Sequence, residues 1–141
     1  MEKKKYEKTY VNLIEKINDI AGIRIVCTLK EDIYFIKNLI NQINEIHVLE
    51  EKDYVTNPKP SGYSSYHMIV EVPVRLTQKT VFVKCEIQIR TLAMDFWAKF
   101  EHKVKYKTEQ NVSKRTSNEL IACAKMINNF DNKMMKLKNI N

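Results

Sequence analysis

Two neighbouring runs of alternating apolar and polar residues, 66–76 and 80–90, place the strongest constraint on the fold of this chain. Successive side chains of a strand point to opposite faces of a sheet, so each run is typical of a half-buried strand. The connection 77–79 between them is short, as in a hairpin. The sequence therefore predicts a β-hairpin within a sheet.

The second run combines a core face with an unusually polar one. Its apolar face consists of Val81, Val83, Cys85, Ile87 and Ile89, and its other face of Lys84, Glu86, Gln88 and Arg90. The polar face brings a carboxylate, an amide and cations together in one row. We interpret this row as part of a functional site.

Apolar periodicity predicts the other elements. Helices are expected over 2–18, 31–45, 92–106 and about 114–138, and two further strands over 23–29 and 47–54. The first of these strands is dense in β-branched residues and is expected to be buried, with Arg24 as its one charged residue. The second is too charged to be central. The order of elements predicts an α+β fold with a mixed sheet of about four to five strands, covered by helices.

The helix over 92–106 is expected to present two different stripes. Its apolar stripe contains Ala93, Phe96, Trp97, Phe100 and Val104, and its polar stripe contains Asp95, Lys99, His102 and Tyr106. We expect the apolar stripe to pack against the protein. The long last helix has a Lys- and Asn-rich outer face.

Composition excludes several classes of protein. A chain of 141 residues is one domain by size, and no apolar run approaches the roughly 18 residues that span a bilayer. The charged N-terminus has no apolar run behind it, so no signal peptide is expected. Three scattered cysteines without zinc spacing predict reduced thiols in the cytoplasm, with Cys27 and Cys85 in core strands.

The formal net charge of +7 favours anionic partners such as nucleotides, phosphates or RNA, whereas nothing points to DNA or a membrane. The lysines are scattered, so a solvated lysine-rich surface remains an equal explanation.

The loop 55–64 is punctuated by Pro58 and Pro60 and contains Gly62 followed by Tyr63. A ring held on a stiff loop can stack on a nucleobase, although a ring folded onto the core is the simpler alternative. Lys59 and His67 flank it and are candidate contacts for phosphate or ribose oxygens.

Asp19 and Glu86 form the second candidate group, since two converging carboxylates can hold Mg²⁺ and one can accept a proton from a hydroxyl. The alternative is that Asp19 caps a helix and Glu86 pairs with a neighbouring cation. Asp95 could accept hydrogen bonds from a guanine edge or pair with Lys99. Arg24 needs an anion or a flat π partner if it is buried.

Five ordered segments carry a family resemblance. They are 19–24 (DIAGIR), 52–54 (KDY), 58–67 (PKPSGYSSYH), 86–91 (EIQIRT) and 97–103 (WAKFEHK). In order and spacing they resemble the synthetase domain of RelA/SpoT-type (p)ppGpp synthetases, and the compact form is most similar to the small alarmone synthetases of Firmicutes. The resemblance covers nearly the whole chain.

The resemblance implies a nucleotidyltransferase-like fold and transfer of the β,γ-diphosphate of ATP to the ribose 3′-OH of GDP or GTP, with Mg²⁺. Asp19 and Glu86 would hold the metal, and Glu86 would help activate the 3′-OH. The implied acceptor residues are Tyr63 (stacking on guanine), Asp95 (near the guanine edge), Lys59, Ser61 and His67. Arg24 would stack on the adenine of ATP, and Gln88, Arg90 and His102 would support the site.

Two departures from the family pattern affect these expectations. The Arg- and Lys-containing segment that grips ATP in the family is absent from 1–18, so the chain is expected to begin inside the domain. The Arg that often precedes Lys52-Asp53 is also missing, which weakens any inference about GDP versus GTP. We expect an N-terminally incomplete synthetase domain over 1–107, then a linker and helix over 108–141 that assembles a homotetramer. A guanine nucleotide- or RNA-binding fragment without turnover remains the alternative.

Overall fold

The computed structural model describes residues 21–140, which form four strands and three helices. The strands are β1 (Ala21–Cys27), β2 (His47–Asp53), β3 (Tyr66–Arg75) and β4 (Thr80–Thr91). The helices are α1 (Lys30–Asn41), α2 (Leu92–Lys107) and α3 (Lys114–Lys138). The predicted helix over 2–18 and the predicted ligand Asp19 lie outside the described residues.

The four strands form one mixed sheet in the order β1-β4-β3-β2. β3 and β4 pair antiparallel as the predicted hairpin, and β1 runs parallel to β4 on its other side. The charged strand β2 lies at an edge, as its composition predicted. The predicted α+β fold with a mixed sheet and a long C-terminal helix is confirmed.

The hydrophobic core lies on one face of the two central strands. Met68 and Val70 of β3 pack with Ile87 and Ile89 of β4, and Ile33 of α1 covers them. All five side chains are 0–6% exposed. The opposite face of the hairpin carries the polar row of β4, so the alternation places the core and the candidate site on opposite sides of one sheet.

The helices begin where side chains can satisfy their first backbone N–H groups. Thr91 at the end of β4 caps α2, since its hydroxyl accepts from the N–H of Met94 at 3.2 Å, and Ser113 caps α3 in the same way. The α3 bounds agree with the predicted 114–138, whereas the helix predicted to reach residue 45 ends at Asn41. None of the helices in residues 21–140 is both long and apolar enough to span a bilayer.

The prediction that β1 is a buried strand is wrong. β1 forms an edge of the sheet, and Ile23 and Val26 are 53% and 39% exposed. The side chain of Arg24 is also about half exposed, so it does not pay the desolvation cost expected of a buried guanidinium. The β-branched composition of β1 predicted correctly that this segment forms a strand, but it did not predict the position of the strand in the sheet. Cys27 is half-buried and Cys85 buried, while Cys123 is exposed, and all three are free thiols.

The predicted packing face of α2 is also partly wrong. Phe96 and Phe100 are 68% and 50% exposed, although their rings stack on each other. The helix buries Trp97 of the predicted stripe, together with Met94 and Asp95. The helix is therefore rotated so that part of its polar stripe faces the protein, because Asp95 finds cationic partners there.

Candidate functional site

The polar face of β4 forms a continuous chain of side-chain contacts. Gln88 donates from Nε2 to Oε1 of Glu86 at 3.0 Å, and Arg90 donates from Nη2 to Oε1 of Gln88. The three side chains lie two residues apart and therefore project from the same side of the strand. These side-chain contacts align the carboxylate of Glu86 and fix the buried guanidinium of Arg90.

His67 connects the neighbouring strand to this row. It lies directly opposite Gln88 in the β3–β4 register, and its Nδ1 is 3.3 Å from Oε1 of Glu86. Burial lowers the pKa of His67 below its usual value, and the nearby Lys59 and Arg90 act in the same direction, whereas the charge of Glu86 opposes them. His67 is therefore neutral at pH 7, with one ring nitrogen able to donate and the other to accept.

Tyr63 lies at the meeting point of the loop and the sheet. Its hydroxyl is 2.8 Å from Nε2 of His67 and accepts from Nη2 of Arg90 at 3.2 Å. The ammonium group of Lys59 lies 5.1 Å from the centre of the Tyr63 ring and 4.9 Å from that of Tyr54. The ring is thus held by cation–π and hydrogen-bond contacts, and the lysine charge stands beside it.

The backbone of the loop forms a closed turn that presents Tyr63. Lys59 donates its N–H to the carbonyl of Tyr63 at 2.9 Å, and Gly62 donates to the carbonyl of Lys59 at 2.8 Å. Gly62 has φ +96°, which a side chain would strain. Ser61 contributes within the turn, where its hydroxyl accepts from the N–H of Tyr63 at 3.4 Å.

The side chain of Asp53 holds the start of the loop 55–64. Its carboxylate accepts hydrogen bonds from the N–H groups of Val55 and Thr56 and from the hydroxyl of Tyr34, each at 2.9 Å. Burial alone would raise the pKa of Asp53, but these hydrogen bonds outweigh it and lower the pKa below its usual value. The loop 55–64 therefore starts from a fixed, ionised side chain.

Asp95 collects three cations at the start of α2. Its Oδ2 is 2.8 Å from Nζ of Lys99, and its Oδ1 is 3.6 Å from Nη1 of Arg90 and 4.0 Å from Nη1 of Arg24. Asp95 Oδ1 and Arg90 Nε are buried and have no hydrogen-bond partner among the described residues. A buried carboxylate oxygen and a buried N–H in this state are suited to a ligand that supplies the missing partners.

A cavity of about 550 Å³ opens beside these groups. It is lined by Arg24, Tyr63, Gln88, Arg90, Ala98, Lys99, Glu101, His102 and Lys105. Four of the nine side chains are lysines or arginines, so the cavity has the size and charge for an anionic ligand such as a nucleotide.

The predicted Mg²⁺ site depends on two carboxylates, of which only Glu86 lies in the described part of the chain. Glu86 is a hard oxygen donor, partly exposed, in the polar row beside the cavity, and so is compatible with this metal. Within residues 21–140 no group of three or more His, Cys, Asp or Glu side chains could hold a metal ion by itself. The metal assignment therefore stays a prediction.

The structure brings together residues that are far apart in the sequence. Among the predicted site residues it joins one contact group (Arg24, Lys59, Tyr63, His67, Glu86, Gln88, Arg90 and Asp95), and it places His102 on the cavity wall. Sequence reasoning missed Tyr54, whose ring contacts both Tyr63 and His67. It also treated Lys99 only as an ion-pair partner and left Lys105 out, although Lys99 stands in the polar stripe with His102.

Comparison with known proteins extends this picture. Residues 1–111 match the family model described as a region found in RelA/SpoT proteins. The chain is 46% identical to GTP pyrophosphokinase YwaC of Bacillus subtilis (strain 168) over 132 residues, which is 94% of this chain and 63% of YwaC. The chain therefore spans less than two thirds of the length of that relative.

Two solved structures are similar throughout the fold. Small alarmone synthetase 2 from Bacillus subtilis has a TM-score of 0.86 at 47% identity, covering 88% of this chain and 68% of that one. Small alarmone synthetase 1 from Bacillus subtilis, bound to its product pppGpp, has a TM-score of 0.85 at 35% identity, covering 91% and 66%. The family match over most of the chain, together with these likenesses, establishes that the chain belongs to the RelA/SpoT family.

Proposed function

We propose that this chain supplies the synthetase chemistry of a GTP or GDP pyrophosphokinase. The reaction moves the β,γ-diphosphate of ATP to the ribose 3′-OH of GDP or GTP and releases AMP, yielding (p)ppGpp for the stringent response. The single observation that carries the proposal is the contact between His67 and Glu86 at 3.3 Å, because it sets a carboxylate beside the residues proposed to hold the acceptor.

The acceptor nucleotide is proposed to lie against Tyr63. In this arrangement the guanine stacks on the ring, and Asp95 accepts from the guanine edge through the buried Oδ1 that has no hydrogen-bond donor among the described residues. Lys59, beside the Tyr63 ring, faces the acceptor phosphates, and Ser61 belongs to the same turn. The similarity to a synthetase bound to pppGpp supports a guanine nucleotide as the acceptor.

Glu86 is proposed to accept the proton of the 3′-OH or to hold Mg²⁺ together with Asp19. His67 adds no charge beside Glu86, and a ribose hydroxyl is proposed to replace one of its two contacts, to Glu86 or to the hydroxyl of Tyr63. Bound Mg²⁺ would neutralise the transferring phosphates. Gln88 and Arg90 hold Glu86 in line through their hydrogen-bonded row.

ATP is proposed to bind on the side of the cavity that carries Arg24. The half-exposed guanidinium lies at the cavity wall, where it can stack on adenine, and the pairing with Asp95 fixes its direction. His102, also on the wall, is proposed to support this side of the site.

The direct test is an assay with labelled ATP, GDP or GTP, and Mg²⁺, on this chain and on a form extended upstream. We expect (p)ppGpp from the extended form at least, and its loss in Asp19→Asn and in Glu86→Gln. Product formation that survives both substitutions would refute the assigned roles. Saturable GDP binding without product from either form would favour the binding-only alternative.

Assembly and location remain proposals as well. We propose that 1–107 act as the catalytic unit and that α3 contributes to a homotetramer, since Met126 and Phe130 on α3 are 69% and 55% exposed. Light scattering of a chain that ends after Lys107 tests this, because an unchanged oligomer would exclude α3 as the contact. The three free thiols suit the reducing cytoplasm. We also propose RNA as a second partner of the basic surface.

A further inference from the structure

The loop that presents Tyr63 rests directly on α3. A Cβ atom added to Gly62 would lie 2.6 Å from Cβ of Ala124 and 3.3 Å from Cζ2 of Trp97. The Cα of Gly62 therefore packs so closely against Ala124 that no side-chain carbon fits between them. This contact joins the last helix to the residue that precedes Tyr63.

Two hydrogen bonds fix α3 in this position. Trp97 of α2 donates from Nε1 to the carbonyl of Leu120 at 2.9 Å, and the hydroxyl of Thr91 donates to Oδ2 of Asp131 at 2.7 Å. Thr91 directly follows Arg90 and caps the helix that carries Asp95. Burial raises the pKa of Asp131, although the Thr91 hydrogen bond and nearby Lys30 oppose this.

These contacts lie one turn or two apart along the same helix. Leu120, Ala124, Ile127 and Asp131 follow helical spacing, so one face of α3 touches α2, the loop and the end of β4. A cavity of about 460 Å³ lies along this face beside the loop and has Pro58, Trp97 and Ala124 in its wall. The loop is therefore supported at Gly62 and less tightly packed around it.

We propose that Ala124 is a positioning residue for the acceptor nucleotide. By supporting Gly62, α3 sets the position of the Tyr63 ring and thereby the affinity for a guanosine nucleotide, and the described lining of the cavity at Arg24 contains no residue of α3. The inference rests on the proposed function, since it assumes that Tyr63 contacts the acceptor.

The experiment compares substitutions at Ala124 with the same substitutions at Ala122, which is exposed on the same helix. Ala124→Leu is expected to displace the loop and to raise the Kd for GDP, measured by calorimetry without ATP, by about tenfold or more, because misplacement by about 1 Å is costly. Ala122→Leu is expected to leave the Kd unchanged. In a turnover assay the KM for the acceptor should rise while the KM for ATP stays constant.

A second pair guards against failure of the leucine variant to fold. Ala124→Gly and Ala122→Gly carry the same helix-propensity cost, and only the first removes the support beneath Gly62. Amide hydrogen exchange at Gly62, whose N–H donates to Lys59, is expected to be faster in Ala124→Gly than in Ala122→Gly.

Trp97 provides a spectroscopic readout because it is the single tryptophan of the chain and lies against the junction. GDP is expected to shift its fluorescence in the parent and in Ala122→Leu, and the shift should be lost in Ala124→Leu. Equal GDP affinity and equal exchange at Gly62 in the Ala124 and Ala122 variants would overturn the inference. A parent protein that binds no GDP would overturn the proposed function instead. The hydrogen-exchange rates at Gly62 in Ala124→Gly and Ala122→Gly would then still test whether Ala124 supports the loop.

Discussion

Nδ1 of His67 lies 3.3 Å from Oε1 of Glu86, so the strand that leaves the loop and the strand that carries the polar row meet through these two side chains. The contact joins a neutral imidazole to a carboxylate that also accepts from Gln88. The hydrogen bond from Gln88 and the nearby His67 together restrict the orientation of the Glu86 carboxylate, and general base catalysis requires a fixed orientation.

Replacing Glu86 by glutamine tests the carboxylate without changing its shape. We expect Glu86→Gln to lower the rate of (p)ppGpp formation by about 100-fold or more, because general base catalysis contributes on the order of 10²–10⁴-fold. The rate is measured with labelled ATP at saturating acceptor. Glu71→Gln, a half-buried charge change on β3, serves as the control, and equal rates in the two variants would argue against a catalytic Glu86.

The burial of His67 predicts a pH-dependent stability. Its pKa in the folded chain is lower than the ordinary 6.5, so the unfolded chain takes up a proton first as the pH falls. The free energy of unfolding should therefore decrease below about pH 6.5, down to the folded-state pKa. Urea titrations between pH 7.5 and 5 should show this component in the parent and in a variant of exposed His102, His102→Gln. If the free energy of unfolding of His67→Gln depends on pH as steeply as that of the parent, His67 is not the source of the pH dependence.

Arg90 and Lys99 both pair with Asp95 but differ in burial. Arg90 is 2% exposed and also contacts Gln88 and Tyr63, so we expect Arg90→Gln to lower the free energy of unfolding by about 3 kcal/mol. Lys99 is largely exposed, so Lys99→Gln should cost less than about 1 kcal/mol. Urea unfolding at pH 7 measures both, and similar costs would contradict the structural roles.

The two glycines of the chain should differ sharply when alanine replaces them. Gly62→Ala meets both a positive φ and Cβ of Ala124 at 2.6 Å, so a loss of about 1–3 kcal/mol in stability is expected. Gly22 has nothing within 4 Å of an added Cβ, and Gly22→Ala should cause no loss. Thermal unfolding of both variants is the measurement. A Gly62→Ala protein as stable as Gly22→Ala would show that the loop adapts.

The ring and the hydroxyl of Tyr63 can be separated by mutation. Tyr63→Ala should weaken GDP binding by about 5- to 150-fold, equivalent to about 1–3 kcal/mol for stacking on one base. Tyr63→Phe keeps the ring and loses only the contacts to His67 and Arg90, so its effect should be smaller. Calorimetry with GDP measures both, with Tyr106→Ala on the exposed face of α2 as the control. An equally large effect of Tyr63→Phe would favour the hydroxyl over stacking.

Local patterns predicted the elements better than their environments. The hairpin and α3 were confirmed because period-two alternation and helical spacing are properties of short stretches. β1 was expected to be buried because Ile and Val dominate it, but its place at the sheet edge follows from the strand order, which no local pattern contains. Phe96 and Phe100 were expected to face the core, yet Asp95 on another side of α2 points inward, where it meets Arg24 and Arg90 of the sheet.

The sequence by itself determined the polar row of Glu86, Gln88 and Arg90, since alternation along one strand fixes which side chains share a face. It also marked Gly62 and Tyr63, shortly after Pro58 and Pro60, as a turn that presents the ring. Only the tertiary structure decided that His67 meets Glu86, that Asp95 meets Arg24, and that Ala124 supports Gly62. These contacts join residues many positions apart, and their distances depend on strand register and helix rotation, which the packing of the whole chain sets.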